Sequence, residues 1–214
     1  MKYKAVIFDL DGTLLNTLDD LADSANHVLS ELGFKTHDTD AYKYFVGNGI
    51  PKLIERCLPK DKQEYHEKAL SMFSGYYAVH SKDKTAPYKD IPQLLSKLSD
   101  MGLLMGVITN KAHNIAVSVV EDYFGKNTFG CIRGLDSSIK AKPDPAGALS
   151  VAEKLSVRPE EVLYIGDSGV DMQTAENAGF TALGVLWGFR TKDELLQDGA
   201  KFLAEKPLDI LNFI

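Results

Sequence analysis

The sequence predicts an α/β fold: a Rossmann-like parallel sheet core with helices on both faces, plus an inserted α-helical subdomain. Three observations carry this. Short apolar runs alternate with helical stretches over most of the chain, as a parallel sheet with crossover helices requires. Polar residues recur where those apolar runs end. Residues 15–84 show helical spacing and no convincing strand, which is long for a simple crossover between parallel strands. The expected division is therefore a core of residues 1–14 and 85–214 and an insertion of residues 15–84.

The first apolar run, from Ala5, is rich in Val, Ile and Phe and reads as a buried strand. It ends at Asp9 and Asp11, with Gly12 and Thr13 following. Glycine permits a sharp turn there. In the insertion, Leu18, Leu21, Ala22, Ala25, Val28, Leu29 and Leu32 share a helical face. Thr17 with Asp20 resembles a capping box, and Gly33 is a stop signal. A second helix is expected after Gly47-Asn48-Gly49, with Pro51 in its first turn and Leu53, Ile54, Cys57 and Leu58 on one face. A third carries Tyr65, Ala69, Met72, Phe73 and Tyr76.

The rest alternates. Helices are expected over 90–101, 115–124, 145–155 and 169–178. Strands are expected over 103–108, 129–133, 162–165 and 181–186. Two of these strands end in polar residues, at Thr109-Asn110 and at Asp167. Carboxyl ends of parallel strands lie together, so these residues should converge with Asp9 and Asp11 on one site.

Composition is that of an ordinary soluble globular protein: 214 residues, 44% hydrophobic and 25% charged. The net charge of −6, without a basic stripe, argues against a nucleic-acid surface. Cys57 and Cys131 form no CxxC motif and read as small buried residues. The start is neither a signal peptide nor a membrane-length apolar span, so the expected compartment is the cytoplasm. Monomer and homodimer are both open.

Two close carboxylates repel unless a cation intervenes. That pattern serves either a nucleophile paired with a proton donor or ligands to a hard metal ion. Competing motifs fail. Gly166-Asp167-Ser168-Gly169 is continued by Val170, which breaks a serine-nucleophile pattern. A calcium loop counted from Asp9 would need glycine where Leu14 stands. His66-Glu67 lacks the second histidine of a zinc helix, since Leu70 occupies its place.

Four stretches together resemble the haloacid dehalogenase-like superfamily: Asp9-Leu-Asp11-Gly12-Thr13, Ile108-Thr109-Asn110, Lys142-Pro143 and Gly166-Asp167-Ser-Gly-Val-Asp171. The resemblance covers nearly the whole chain, the insertion matching the family's cap. It implies a phosphatase in which Asp9 is the nucleophile that forms an aspartyl-phosphate. Asp11 would protonate the leaving oxygen and then activate water. Thr109, with Asn110, would hold phosphoryl oxygens, and Lys142 would neutralise charge. Mg²⁺ would be held by Asp9, Asp11 (through its backbone carbonyl) and Asp167. Asp171 would orient Lys142 or assist at the metal, and Gly12 and Thr13 would support the site. Ser168 reads as a helix-start residue, and Lys140 lacks the proline that follows Lys142.

Within that superfamily, Tyr44 to Pro51, with its Gly-Asn-Gly centre, is similar to bacterial phosphoglycolate phosphatases, as are Pro87-Tyr88 and Trp187-Gly188. The resemblance implies a small phosphorylated metabolite, 2-phosphoglycolate foremost, with Gly47 and Asn48 as cap contacts. Lys89-Asp90 departs from the Pro-Gly usual after the tyrosine. A turn between helices explains Gly47 and Gly49 equally well. The alternatives are a phosphomutase resembling β-phosphoglucomutase, a phosphatase of another sugar phosphate, nucleotide or pyrophosphate, and a non-enzymatic phospho-aspartate receiver.

Overall fold

The computed structural model describes residues 2–214. The chain forms two compact units, one of residues up to Leu15 with Pro87–Ile214, the other of Asn16–Ala86.

The chain begins with β1 (Ala5–Phe8) and the two-residue β2 (Leu15–Asn16). The helical unit follows with α1 (Leu18–Glu31), α2 (Thr39–Phe45), α3 (Ile50–Cys57), a 3₁₀ segment (Lys60–Tyr65) and α4 (His66–His80). The short β3 (Ala86–Pro87) pairs with β2. Then come α5 (Ile91–Asp100), β4 (Leu104–Ala112), α6 (His113–Phe124), β5 (Cys131–Leu135) and α7 (Ala146–Lys154). The chain closes with β6 (Val162–Gly166), α8 (Gly169–Ala178), β7 (Thr181–Val185), α9 (Lys192–Gln197), β8 (Phe202–Ala204) and a 3₁₀ segment (Pro207–Phe213).

The main sheet has the order β5-β4-β1-β6-β7-β8, with every pairing parallel. β1 lies inside it. Val6 and Phe8 enter one core with Leu94 and Leu98 of α5 and Val120 of α6. Ala5 and Ile7 enter the other with Val151 of α7 and Met172 of α8. Both faces are dry, which is why β1 reads as an unbroken apolar run rather than an alternating one. The chain goes from β1 first to one side of the sheet and later to the other. The carboxyl end of β1 is thus a topological switch point, where such sheets bind ligands.

The helical unit packs around α1, whose Leu21, Ala22, Ala25, Val28 and Leu29 are buried with Phe73 and Tyr77 of α4. Glycines at positive φ, Gly47 (109°) and Gly49 (84°), turn the chain between α2 and α3.

Several expectations are corrected. Thr17 and Asp20 form no capping box: the Thr17 hydroxyl is buried without a partner. The Asp20 carboxylate instead accepts from the Lys84 and Thr85 amides and the Thr85 hydroxyl, at 2.7–3.2 Å. The inner face of α4 uses Tyr77 rather than Tyr76. β4 does not stop at Ile108 but runs on to Ala112, and β5 starts at Cys131 rather than at Phe129. Helix α2 and everything beyond β7 have no counterpart in the sequence-based assignment.

Candidate active site

Asp9 follows β1 directly, and its amide donates to the Ile165 carbonyl at 2.8 Å. Asp167 stands in the corresponding place after β6. Asp171 lies in the first turn of α8 and reaches back to the Ser168 amide (3.1 Å) and hydroxyl (2.5 Å), which fixes the helix start. Ligand oxygens of Asp9, Asp167 and Asp171, all buried, lie within 4.8 Å of one another.

Three glycines let these acids come so close. A Cβ on Gly12, whose φ is 92°, would lie 2.3 Å from Asp167 Oδ2. One on Gly188 would meet Asp167 Cβ at 2.2 Å, and one on Gly166 would meet Asp171 Cβ at 2.3 Å. The Phe189 amide donates to Asp167 Oδ2 at 2.8 Å, and Thr13 Oγ1 donates to Oδ1 at 3.4 Å. Trp187 Nε1 donates to the Thr13 carbonyl at 3.0 Å, tying the loop after β7 to the loop after β1.

A lysine bridges two of these acids. Lys142 Nζ bonds Asp9 Oδ1 at 2.6 Å and Asp171 Oδ1 at 2.7 Å, and lies 3.4 Å from the Tyr164 hydroxyl. Tyr164 in turn donates to Asp171 Oδ1 at 3.1 Å. Asn110 holds the lysine's backbone: the Lys142 amide donates to its Oδ1 at 2.8 Å, and its Nδ2 donates to the Lys142 carbonyl at 3.3 Å. Asn110, expected at the phosphate, uses both ends of its side-chain amide on the Lys142 backbone. Lys140 is exposed.

Three carboxylates crowd a desolvated space, with Lys142 bonded to two of them and the charge of Arg190 acting on Asp167. Burial, and then the charge of Asp171, push the Asp9 carboxyl well above the ordinary range, with Lys142 opposing. The same two causes push Asp167 up to about 7. Burial works against the Lys142 ammonium, but Asp171 and Asp9 outweigh it and hold its pKa well above that of a free lysine.

Beside this cluster lies a second pair. β4 and β5 pair regularly up to Ile108↔Arg133 and again at Ala112↔Leu135. Thr109, Asn110 and Lys111 therefore face the single Gly134, and the strand bulges. A Cβ on Gly134 would lie 2.6 Å from the Lys111 carbonyl, so glycine is what accommodates the bulge. Lys111 Nζ bonds Asp11 Oδ1 at 2.8 Å. Its amide donates to Thr109 Oγ1 at 3.1 Å, which leaves the threonine hydroxyl its own proton to give. The Asp11 carboxylate is outside the group of three acids.

A family model described as haloacid dehalogenase-like hydrolase matches residues 6–185. The chain belongs to the haloacid dehalogenase-like hydrolases. It is similar to the phosphoglycolate phosphatase of Neisseria meningitidis, 34% identical over 92% of this chain and 86% of that protein. It is also similar to the phosphoglycolate phosphatase of Aquifex aeolicus, at 28% over 99% and 96%. Among solved structures, a protein from Lactobacillus delbrueckii subsp. bulgaricus superposes with a TM-score of 0.95 at 30% identity, over 100% of this chain and 99% of that one. A haloacid dehalogenase-like family hydrolase from Streptococcus pneumoniae gives 0.89 at 25%, over 99% and 98%. The chain is an enzyme of this hydrolase family, similar throughout its length to phosphatases.

This haloacid dehalogenase-like hydrolase gathers Asp9, Lys142, Asp167 and Asp171 from three segments of the chain, with Gly12 and Thr13 against Asp167, while Thr109 stands with Lys111 on the bulge. Sequence reasoning missed Lys111, Tyr164 and the Gly188–Phe189 turn. The local pattern did not mark Lys111, because the bulge breaks the two-residue period of a regular strand. Gly47 and Asn48 belong to the helical unit. There Arg56 bonds Asn48 Oδ1 at 2.8 Å and the Phe45 carbonyl at 2.9 Å, bracing the turn. Both cysteines are free thiols, and burial pushes Cys57 up to about 12, far from reactive. Among the described residues no helix is long and apolar enough to cross a membrane.

Proposed function

We propose that the chain is a Mg²⁺-dependent phosphatase that hydrolyses a small phosphate monoester through an aspartyl-phosphate, with 2-phosphoglycolate as its substrate. One observation carries the metal: Asp9, Asp167 and Asp171 converge, all buried, and carry more negative charge than Lys142, bonded to two of them, balances. A divalent cation supplies that balance, and all-carboxylate donors suit a hard one. Asp9 and Asp167 would hold it with the backbone carbonyl of Asp11. Bound there, Mg²⁺ would neutralise charge on the phosphoryl oxygens.

The chain's own residues divide the remaining work. Lys142 occupies Oδ1 of Asp9, which leaves Oδ2 to attack phosphorus. Asp11 gives a proton to the leaving oxygen and later takes one from the water that opens the aspartyl-phosphate. Thr109 donates its hydroxyl proton to a phosphoryl oxygen. Asp171 positions Lys142, helped by Tyr164, while Asn110 fixes the lysine's backbone. The same proposal takes Asn16–Ala86 as a cap, with Gly47 and Asn48 in substrate choice. The substrate rests on the full-length similarity to proteins named phosphoglycolate phosphatases.

Phosphate release tests this reading, from 2-phosphoglycolate beside β-glucose 1-phosphate and an aryl phosphate. A preference for 2-phosphoglycolate that vanishes with a chelator is expected. Release from the aryl phosphate alone would remove the substrate. Release undiminished by a chelator would remove the metal.

A further inference from the structure

The buried cations of the described residues are two, Lys142 and Lys111. Lys142 serves Asp9 and Asp171. Lys111 stands apart from the Asp9, Asp167 and Asp171 cluster, on the Thr109–Lys111 bulge, with its Nζ 2.8 Å from Asp11 Oδ1. Burying an ammonium is costly, and a strand bulge is a recurrent means of aiming one side chain at a site. We propose that Lys111 is the specificity-determining residue that binds the substrate's own carboxylate.

The placement supports this in two ways. Side-chain exposure rises from 8% at Asp9 and 1% at Asp171 to 20% at Asp11. The Asp11–Lys111 pair is therefore on the wetter side of the acid cluster, where the leaving group must be when phosphorus is at Asp9. Asp11 touches the leaving oxygen in the proposed reaction, and Lys111 touches Asp11. In 2-phosphoglycolate the carboxylate carbon is only two bonds from that oxygen. A cation one carboxylate's breadth from the leaving oxygen is thus within reach of the substrate's carboxylate. Lys111 then exchanges part of its interaction with Asp11 for one with the substrate. A neutral leaving group offers it nothing.

This inference rests on the phosphatase reading, and the test separates the two. Ethyl phosphate has the shape of 2-phosphoglycolate with a methyl group in place of the carboxylate. Wild type and Lys111→Met, which keeps the apolar stem, are compared on both esters, with thermal melting to check the fold. The expected result is a fall in kcat/KM for 2-phosphoglycolate about 10-fold larger than the fall for ethyl phosphate, the difference carried mainly by KM. Lys111→Arg should recover part of the preference. Equal falls on both esters would overturn the inference and leave Lys111 as a residue that only positions Asp11. No fall on either would overturn it as well. A wild type with no preference between the esters defeats the substrate reading itself, and shows it before any variant is made.

Discussion

Each unit of the molecule buries an acidic centre, and the two are satisfied in opposite ways. In the helical unit Asp20 is 2% exposed. Its carboxylate accepts from two backbone amides and a hydroxyl where the chain turns back after α4. Neutral donors meet its needs. In the α/β unit Asp9 and Asp171 share Lys142, with Asp167 beside them, and the three acids outnumber the lysine bonded to them. Burial of an acid therefore does not mark a reactive site by itself. The mark is burial whose charge the protein leaves unbalanced, at a place where strand ends converge.

That contrast can be broken at several points. The largest effect is expected from Asp9→Asn, which removes the proposed nucleophile at nearly constant shape. Turnover should fall on the order of 10⁴-fold while the melting temperature holds or rises, because one repelling charge is gone. Substantial retained phosphate release would remove Asp9 from its role.

Next comes pH. Asp167 binds its proton up to about 7 in the folded chain, against an ordinary carboxyl value of 3.8 when unfolded. Between those values the folded state holds more protons, so metal-free protein should lose stability as pH rises from about 4 to about 7. Mg²⁺ should reverse the trend, since it needs the ionised form. Melting temperatures across that range, with and without Mg²⁺, check both signs, and a metal-free protein that gains stability on the way up would contradict the charge deficit.

Asp20→Ala should cost about 2 kcal/mol in urea unfolding by removing the acceptor of these bonds. Asp20→Asn, which keeps one acceptor oxygen, should cost less. Equal losses would mean that the charge of Asp20, and not its acceptors, matters. The smallest effect is expected at the exposed Lys52–Glu55 pair, 2.6 Å apart, where Lys52→Ala should change stability by no more than about 0.5 kcal/mol.

The parts of the fold legible in the sequence were those that local pattern dictates. β1 is read correctly because both its faces are dry, and its apolar run stops where the acids begin. Asp9 and Asp167 could be paired because parallel strands bring their ends together. Long-range pairing was not legible. Asp20 looks like a capping residue in its own neighbourhood, but its donors at Lys84 are 64 positions away. Ile108-Thr109-Asn110 looks like the end of a strand because polar residues take over there. β4 nevertheless continues through the bulge to pair Ala112 with Leu135. Lys111 was lost with that bulge. Lys142 was found through the proline after it, a resemblance rather than a physical signal. The short edge strand β8 carries too few residues to show a period.

The charge deficit can be examined without any turnover. Titration calorimetry of Mg²⁺ into metal-free protein, at about pH 5.5 and about pH 7.5, is compared between wild type and Asp167→Asn. Wild type should bind one ion, about 20-fold more weakly at the lower pH, and release protons there as Asp167 ionises. Asp167→Asn should bind far more weakly at both. Equal affinity at both pH values, undiminished in the variant, would contradict the assignment of the buried acids to a divalent cation.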